Sequence, residues 1–304
     1  MALVYYLVMT LDVNVIWIMG NNFCGSTMFG LMLGNHPDTL MVGEAVHLDD
    51  INGTRECLVC GTTKQCKLVK NCHNRDIENW YKIVSGLESK NYIIDSSKSY
   101  KWFTKLYNNG VHRKYNIYPV TLYKDPVRQI SSIIKHSFYR ASKKHRTFTE
   151  AYKHAKDEFI RTQYELLNLS RKFFAREFVE YKQLVTNPKH EITRVLDHFK
   201  FPITSDMEMF WENNYHHSIG GNVGARYMVK GVQPSVFKTQ KDFFHQYVEH
   251  NKTVFEDNTF KSILMNETIE EILKDEDIIK LCHILSDEYD IDYRNLLIPT
   301  LKRY

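Results

Sequence analysis

The sequence lacks a strong excess of either charge. Its 304 residues include 40 basic and 36 acidic side chains, which give a formal net charge of +4. Whole-chain charge of this size identifies no partner and gives no reason to expect nucleic-acid binding. With 43% hydrophobic and 25% charged residues the composition is that of a soluble globular protein. Any binding of anions must therefore come from basic residues that are clustered locally.

The sequence also lacks a long apolar run. The apolar segment at Met1–Leu11 stops at Asp12, after about half the length that a membrane span requires. It has no basic region before it, as a secretory signal would. We expect an extra strand or a packed tail here, with a fragment of a targeting or anchor segment as the alternative. The expected location is cytoplasmic, with no stable membrane span.

Internal repeats, low-complexity tracts and linkers are missing too, so we expect residues 1–304 to form a single domain. Only six cysteines are present, and four of them lie in a segment at 52–74 that has the character of an insertion. Such clustering indicates a local staple rather than a disulfide framework across the chain. A structural zinc site, disulfides and free thiols remain open alternatives. The clustered residues are Cys57, Cys60, Cys66 and Cys72.

Short apolar runs alternate with longer helical patterns along the first two thirds of the chain. This alternation predicts an α/β fold in three layers, a parallel sheet of the P-loop type with helices on both faces. We expect strands at 13–19, 91–94, 117–123 and 178–181, and helices at 26–35, 75–90, 99–109, 126–139, 148–174, 189–199 and 205–211. Helical patterns near 236–290 predict a helical C-terminal extension over 233–304.

The first strand is followed by G-N-N-F-C-G-S-T, residues 20–27. This is the frame of the phosphate-binding P-loop, G-x-x-x-x-G-K-[ST], with Ser26 in the place of the lysine. Backbone N–H groups of a glycine turn that leads into a helix bind an anion. The missing lysine normally reaches the β- and γ-phosphates of a triphosphate, so the frame favours a ligand with one phosphate or phosphosulfate. A purely structural turn is the alternative.

The third strand is followed by Lys124, Asp125 and Pro126, which indicate a helix start with Asp125 as N-cap. Arg128 and Ser132 lie four residues apart and therefore share one face of that helix. Lys124, Arg128 and Ser132 are expected to converge on a second anion, and a solvated helix end is the alternative.

The second strand is followed by D-S-S-K-S, residues 95–99. Ligands of parallel sheets bind at the carboxyl ends of the strands, so Lys98 is expected to lie between the two anion sites. An N-cap for the next helix, provided by Ser97 or Ser99, is the alternative.

Taken in order, these segments resemble sulfotransferases that use 3′-phosphoadenosine 5′-phosphosulfate. Residues 20–44 look like the 5′-phosphosulfate loop of the family and its helix, followed by a His-Pro pair and a Gly-Glu pair. The segment "LYKDPVRQISS" resembles the element that holds the 3′-phosphate. "IIDSSKS", "LVTNPKHEITRVLDHFKFP" and "IGGNVGARY" resemble further segments of the family, and the resemblance covers about residues 13–227.

The resemblance implies sulfuryl transfer to a hydroxyl or amine, with Glu44, after a strand-like run, as general base and Lys98 at the leaving phosphate oxygen. His47 and His217 are rival bases. Residues expected to bind the nucleotide are Gly20, Phe23, Cys24, Gly25, Ser26, Thr27, Lys124, Arg128, Ser132 and Arg226. No metal is required for the chemistry.

Three positions depart from the family pattern. Phe23 occupies a slot that is usually basic, Cys24 replaces a usual serine, and Lys124 replaces an arginine and loses its bidentate fork. Phe23 therefore leaves open a non-catalytic module that binds the 3′,5′-bisphosphate. A small-molecule kinase is a weaker alternative because Ser26 stands in the lysine slot. Carbohydrate, lipid, peptide and small-molecule acceptors are all compatible with the aromatic content.

Overall fold

The computed structural model describes residues 13–139, 148–212, 215–231, 271–291 and 296. The predicted N-terminal strand or tail and most of the predicted C-terminal extension lie outside these residues. Within the described part, no helix combines the length and the apolar character needed to cross a bilayer.

Five parallel strands form the central sheet: β1 (Asn14–Gly20), β2 (Thr39–Gly43), β5 (Tyr92–Lys98), β6 (Asn116–Tyr123) and β7 (Glu177–Glu180). Their order across the sheet is β2-β5-β1-β6-β7. The predicted α/β class with a parallel sheet is therefore confirmed. Because β5 and β6 both pair with β1, the turns that follow these three strands open at one edge of the sheet.

Helices cover both faces of this sheet. The side chains of β1 alternate between two apolar clusters: Ile16 and Ile18 belong to one, and Val15, Trp17 and Met19 belong to the other. Both faces of the strand are therefore apolar and need to be covered by helices. The helices are α1 (Ser26–Leu33), α2 (Lys67–Cys72), α3 (Trp80–Glu88), α4 (Tyr100–Asn108), α5 (Pro126–Tyr139), α6 (Phe148–Ser170), α7 (Tyr181–Thr186), α8 (Pro188–His198), α9 (Val223–Val229) and α10 (Glu276–Tyr289).

Several boundaries differ from the expectations. The strand-like run before Glu44 is a full edge strand, β2, which is not among the four strands expected from the sequence. The predicted helix at 75–90 begins as a 3-10 turn at Ile77–Asn79 before α3. The helix predicted at 205–211 is wrong, since the structure has only a 3-10 turn there, at Phe210–Glu212.

The cysteine-containing segment at 52–74 forms a small unit beside the sheet. It contains an antiparallel hairpin of β3 (Glu56–Cys57) and β4 (Gly61–Thr62), followed by α2. So short a hairpin has little stability of its own. Its stability must come from contacts outside the hairpin.

Candidate active site

The predicted anion loop lies between the end of β1 and the start of α1. Gly25 is the N-cap of α1 and has φ 94°, a backbone conformation that residues with a Cβ rarely adopt. A Cβ at this position would also lie 2.8 Å from the ring of Tyr181. Glycine is therefore required here both by conformation and by space, and the first turn of α1 points its N–H groups into the loop.

Side chains from two other helices and from the residue that follows β6 hold the loop in place through hydrogen bonds. Gln163 donates from Nε2 to Oδ1 of Asn21 at 2.7 Å, and Gln129 donates from Nε2 to the carbonyl oxygen of Asn22 at 2.6 Å. Lys124 donates from Nζ to the carbonyl oxygen of Phe23 at 3.4 Å. The loop is thus fixed before any ligand arrives, which lowers the entropic cost of binding.

The side chains of the loop divide between interior and surface. Phe23 is 40% exposed, with φ 69°. Cys24 is fully buried, and burial raises the pKa of its thiol. Ser26 and Thr27 are buried, and the hydroxyl oxygen of Thr27 accepts a hydrogen bond from the backbone N–H of Asn222 at 2.8 Å. Cys24 therefore faces inward as a neutral thiol and packs beneath the loop.

The second predicted anion site lies directly beside the first. Lys124 donates from Nζ to Oγ of Ser132 at 3.0 Å, so the predicted pair is brought together. The same ammonium group lies 4.8 Å above the ring of Tyr181. Lys124 consequently touches the anion loop, the first helical turns of α5 and an aromatic wall at once.

Arg128 has a different environment from Lys124. Its guanidinium forms an ion pair with Asp125 at 2.8 Å, and both side chains are only 3% exposed. The Arg128 backbone N–H also donates to Asp125 at 3.0 Å, so Asp125 caps α5 as predicted. We expected Arg128 to join Lys124 and Ser132 at an open anion site. The side-chain geometry does not favour this, because the carboxylate of Asp125 already pairs with the guanidinium of Arg128.

The C-terminal part of β5 is anchored by the buried carboxylate of Asp95, a residue of the same strand. It accepts hydrogen bonds from the hydroxyl of Tyr81 at 2.6 Å, from Nε1 of Trp102 at 2.9 Å and from the backbone N–H of Ser97 at 2.9 Å. It also accepts from the backbone N–H of Ala45 at 3.3 Å. Asp95 thereby joins the end of β5, which carries Lys98, to the turn that follows β2.

Glu44, in the turn after β2, pairs with Lys98, the last residue of β5. The ammonium group of Lys98 donates to Oε1 of Glu44, and Nε2 of His47 lies 3.2 Å from Oε2. Burial by itself would raise the pKa of Glu44, but the hydrogen bonds and positive charges of His47 and Lys98 outweigh it and lower the pKa to about 2. The carboxylate is therefore ionised throughout the ordinary pH range.

The late glycine loop, residues 216–227, packs against both the start of α1 and the insertion. Asn222 caps α9 by accepting a hydrogen bond from the backbone N–H of Ala225 at 3.1 Å. Arg226 is buried and lies 2.8 Å from Glu56, and burial lowers the pKa of its guanidinium. Lys230 also pairs with Glu56. Arg226 thus ties α9 to β3 and does not extend over the surface of the loop.

The cysteine cluster contains a residue that is not in the predicted set. Cys57, Cys60 and Cys66 converge with the imidazole of His217, and their ligand atoms all lie within 4.8 Å of one another. Cys72 is a buried residue of α2 outside this group. The structure therefore brings together three of the four predicted cysteines, and the fourth member of the group comes from the late loop, which spacing within the insertion could not indicate. His217 is 2% exposed and belongs to this cluster, not to the Glu44 site.

Four residues that shape the site were not predicted from the sequence. Asp95 stands in the same D-S-S-K-S segment and could have been found as the polar residue nearest the strand end. Gln129 and Gln163 carry no motif, because helix positions facing a loop are visible only in the fold. Tyr181 was assigned to the end of a strand, and it begins α7 against Gly25.

Comparison with known proteins gives a match in structure but none in sequence. No protein-family model and no curated protein sequence matches the chain. The sulfotransferase domain of the curacin biosynthetic pathway superposes with a TM-score of 0.51 at 14% identity, covering 92% of this chain and 99% of that one. The sulfotransferase domain of the Synechococcus PCC 7002 olefin synthase gives 0.50 at 16% identity, covering 92% and 97%. The chain has the sulfotransferase fold.

Proposed function

We propose that the protein is a sulfotransferase that uses 3′-phosphoadenosine 5′-phosphosulfate as donor. The observation that carries this proposal is the adjacency of two anion sites on neighbouring strands. Lys124 reaches from the end of β6 to the carbonyl oxygen of Phe23 in the loop after β1, while it also binds Ser132. A nucleotide with one anionic group at 5′ and another at 3′ matches two such sites.

The anion loop is assigned to the 5′-phosphosulfate. Its donors are backbone N–H groups from Gly25 onward, with the hydroxyl groups of Ser26 and Thr27 at the start of α1. A lysine is not needed in this loop, since the donor has no γ-phosphate. Lys124 and Ser132 are assigned to the 3′-phosphate, and Arg128 acts indirectly by holding the start of α5 through Asp125.

Transfer itself needs a base and a cation, and Glu44 and Lys98 supply them. Glu44 accepts the proton of the acceptor hydroxyl or amine as its oxygen or nitrogen attacks sulfur, and the S–O bond to the 5′-phosphate breaks. Lys98 donates a hydrogen bond to the phosphate oxygen that leaves. Because Lys98 and Glu44 are paired here, a donor that draws Lys98 away also raises the basicity of Glu44.

A non-catalytic module that binds adenosine 3′,5′-bisphosphate is the second candidate. Phe23 favours it, because an exposed aromatic ring stands where a cation would otherwise adjoin the phosphosulfate. A small-molecule kinase is a weaker candidate. It would need a lysine at the place of Ser26 to reach a γ-phosphate.

The test combines binding with transfer. The full chain is titrated with adenosine 3′,5′-bisphosphate, ATP and ATP–Mg²⁺, and transfer of labelled sulfate is followed into carbohydrate, lipid, tyrosine-peptide and phenol pools. Preference for the bisphosphate together with a labelled product supports the enzyme. Binding without product in any pool supports the module, and tighter binding of ATP–Mg²⁺ overturns both.

A further inference from the structure

The three thiols described above lie close together in the sequence, and the imidazole comes from a distant part of the chain. Cys57 ends β3, Cys60 lies in the hairpin turn and Cys66 precedes α2, while His217 follows more than 150 residues later. Three of the four side chains are buried and the fourth, Cys60, is half-buried. The convergence brings the insertion and the late loop together at one point.

Four of the six distances between these ligand atoms match those of a tetrahedral metal site, and all six are at most 4.8 Å. Zinc binds sulfur at about 2.3 Å and nitrogen at about 2.0–2.1 Å, which places neighbouring sulfurs about 3.8 Å apart and a sulfur and a nitrogen about 3.5 Å apart. Sγ of Cys57 lies 3.7 Å from Sγ of Cys66. Nδ1 of His217 lies 3.6, 3.4 and 3.5 Å from the sulfurs of Cys57, Cys60 and Cys66.

A disulfide does not account for this arrangement. Its two sulfurs would be about 2.05 Å apart, much closer than the 3.7 Å between Cys57 and Cys66. All six cysteines are free thiols in the structure. Of the three alternatives that the sequence left open, the geometry of Cys57 and Cys66 therefore favours a metal site or free thiols over a disulfide between these two residues.

The surroundings of His217 also fit a metal ligand. Its Nε2 lies 3.2 Å from a carboxylate oxygen of Glu88, which in turn lies 2.7 Å from the ammonium group of Lys67. The negative charge of this carboxylate favours the tautomer with the proton on Nε2, which leaves the lone pair of Nδ1 facing the three sulfurs. A carboxylate behind a histidine is the usual outer partner of a zinc-bound imidazole.

We propose that Cys57, Cys60, Cys66 and His217 bind a structural Zn²⁺ ion that fixes the late loop against the end of β2. Four protein ligands close the coordination sphere, so the ion has no open position for a substrate. Its role is to hold the chain together, and it takes no part in sulfuryl transfer. The site exists whether or not the proposed transfer activity does.

The segment after His217 shows what the ion would hold in place. Ile219 donates from its backbone N–H to the carbonyl oxygen of Val42 at 3.0 Å, and its own carbonyl accepts from the N–H of Glu44 at 2.8 Å. Gly220 donates to the carbonyl oxygen of Glu56 at 3.1 Å. Residues 218–220 therefore lie between β2 and β3 and contact the backbone of the proposed base directly.

Metal content of the native protein is the first test. The untagged full chain, purified without chelators, is analysed by elemental mass spectrometry and by X-ray absorption at the zinc edge. We expect zinc in a molar ratio near one, with three sulfur ligands at about 2.3 Å and one nitrogen at about 2.0–2.1 Å. Protein that is fully folded yet contains no zinc, or zinc with only oxygen ligands, overturns the proposal.

Substitutions identify the ligands. His217→Ala is expected to lose most of the zinc, whereas His217→Cys keeps it with four sulfur ligands in the absorption spectrum. Cys72→Ala is the matched control, because Cys72 is a buried cysteine of the same insertion and is expected to keep the metal. Equal metal loss in Cys72→Ala and His217→Ala overturns the ligand assignment. If the ligand variants do not fold, the absorption spectrum of the native protein still decides between the two outcomes.

Hydrogen exchange tests the structural role separately. Zinc is removed from the native protein with a thiol reagent and a chelator, and amide exchange is compared before and after. We expect the amides of Ile219 and Gly220 to lose protection, while those in the middle of β1 keep it. Unchanged protection of Ile219 in zinc-free protein overturns the role assigned to the ion.

Discussion

The ammonium group of Lys98 donates a hydrogen bond to the carboxylate of Glu44, which joins the end of β5 to the turn after β2. Both residues lie at the edge of the sheet where the anion loop opens. The buried carboxylate of Asp95 holds the end of β5 against the turn after β2, because it accepts hydrogen bonds from the backbone N–H groups of Ser97 and Ala45. The pair is therefore part of a fixed framework that exists before substrate binds.

Substitution of Glu44 separates binding from chemistry. Glu44→Gln keeps the size of the side chain but removes the base, so sulfate transfer should fall by about a hundredfold or more. Affinity for adenosine 3′,5′-bisphosphate, measured by calorimetry, should change little. His47→Gln is the matched control and should reduce turnover far less. Full turnover in Glu44→Gln would remove this residue from the mechanism.

The low pKa of Glu44 predicts a particular pH dependence. With a pKa of about 2 in the folded protein, against an ordinary value of 4.5, the carboxylate stabilises the fold above about pH 4.5. That contribution is lost as the pH falls towards 2. Lys98→Met removes a positive charge from Glu44, so its pKa should rise. NMR titration of the labelled carboxyl group checks this, and an unchanged pKa in the variant would contradict the pairing.

Asp95 should be required for the geometry of the site although it touches no substrate. Asp95→Asn replaces an acceptor of several hydrogen bonds by a group with two donors, and we expect a loss of about 1–3 kcal/mol in the free energy of unfolding. Urea denaturation followed by tryptophan fluorescence measures it. Asp157→Asn, which changes an exposed carboxylate on α6, should have almost no effect. Equal stability of the two variants would argue against the anchoring role.

Gly25 and Gly86 offer a matched pair of glycine substitutions. Gly25→Ala places a Cβ at φ 94° and 2.8 Å from Tyr181, so we expect a loss of at least about 1–2 kcal/mol and weaker nucleotide binding. Gly86→Ala lies within α3, where a Cβ meets nothing within 4 Å, and should stabilise by about 0.5–1 kcal/mol. Thermal unfolding of both variants checks the contrast, and a neutral Gly25→Ala would contradict it.

The sequence predicted the parallel sheet and the two anion segments because these are local signals. Apolar runs that end in Gly20 or in Lys124 and Asp125 mark strand ends, and parallel strands place such ends at one edge. The sequence could not predict that Arg128 pairs with Asp125. A residue at this helix position could equally bind an anion beside Ser132 or pair with the N-cap carboxylate. The partnership of His217 with Cys57, Cys60 and Cys66 was also invisible, since it depends on how the late loop packs on the insertion.

The most direct test of the nucleotide assignment is a calorimetric cycle with two ligands and two proteins. Adenosine 3′,5′-bisphosphate and adenosine 5′-monophosphate are titrated into the native protein and into Lys124→Met, with Lys105→Met as a control at an exposed lysine of α4. In the native protein, loss of the 3′-phosphate should weaken binding by about tenfold to a hundredfold. In Lys124→Met the two ligands should bind almost equally. If the native protein binds both ligands alike, or the variant keeps the full preference, the two-anion account is wrong.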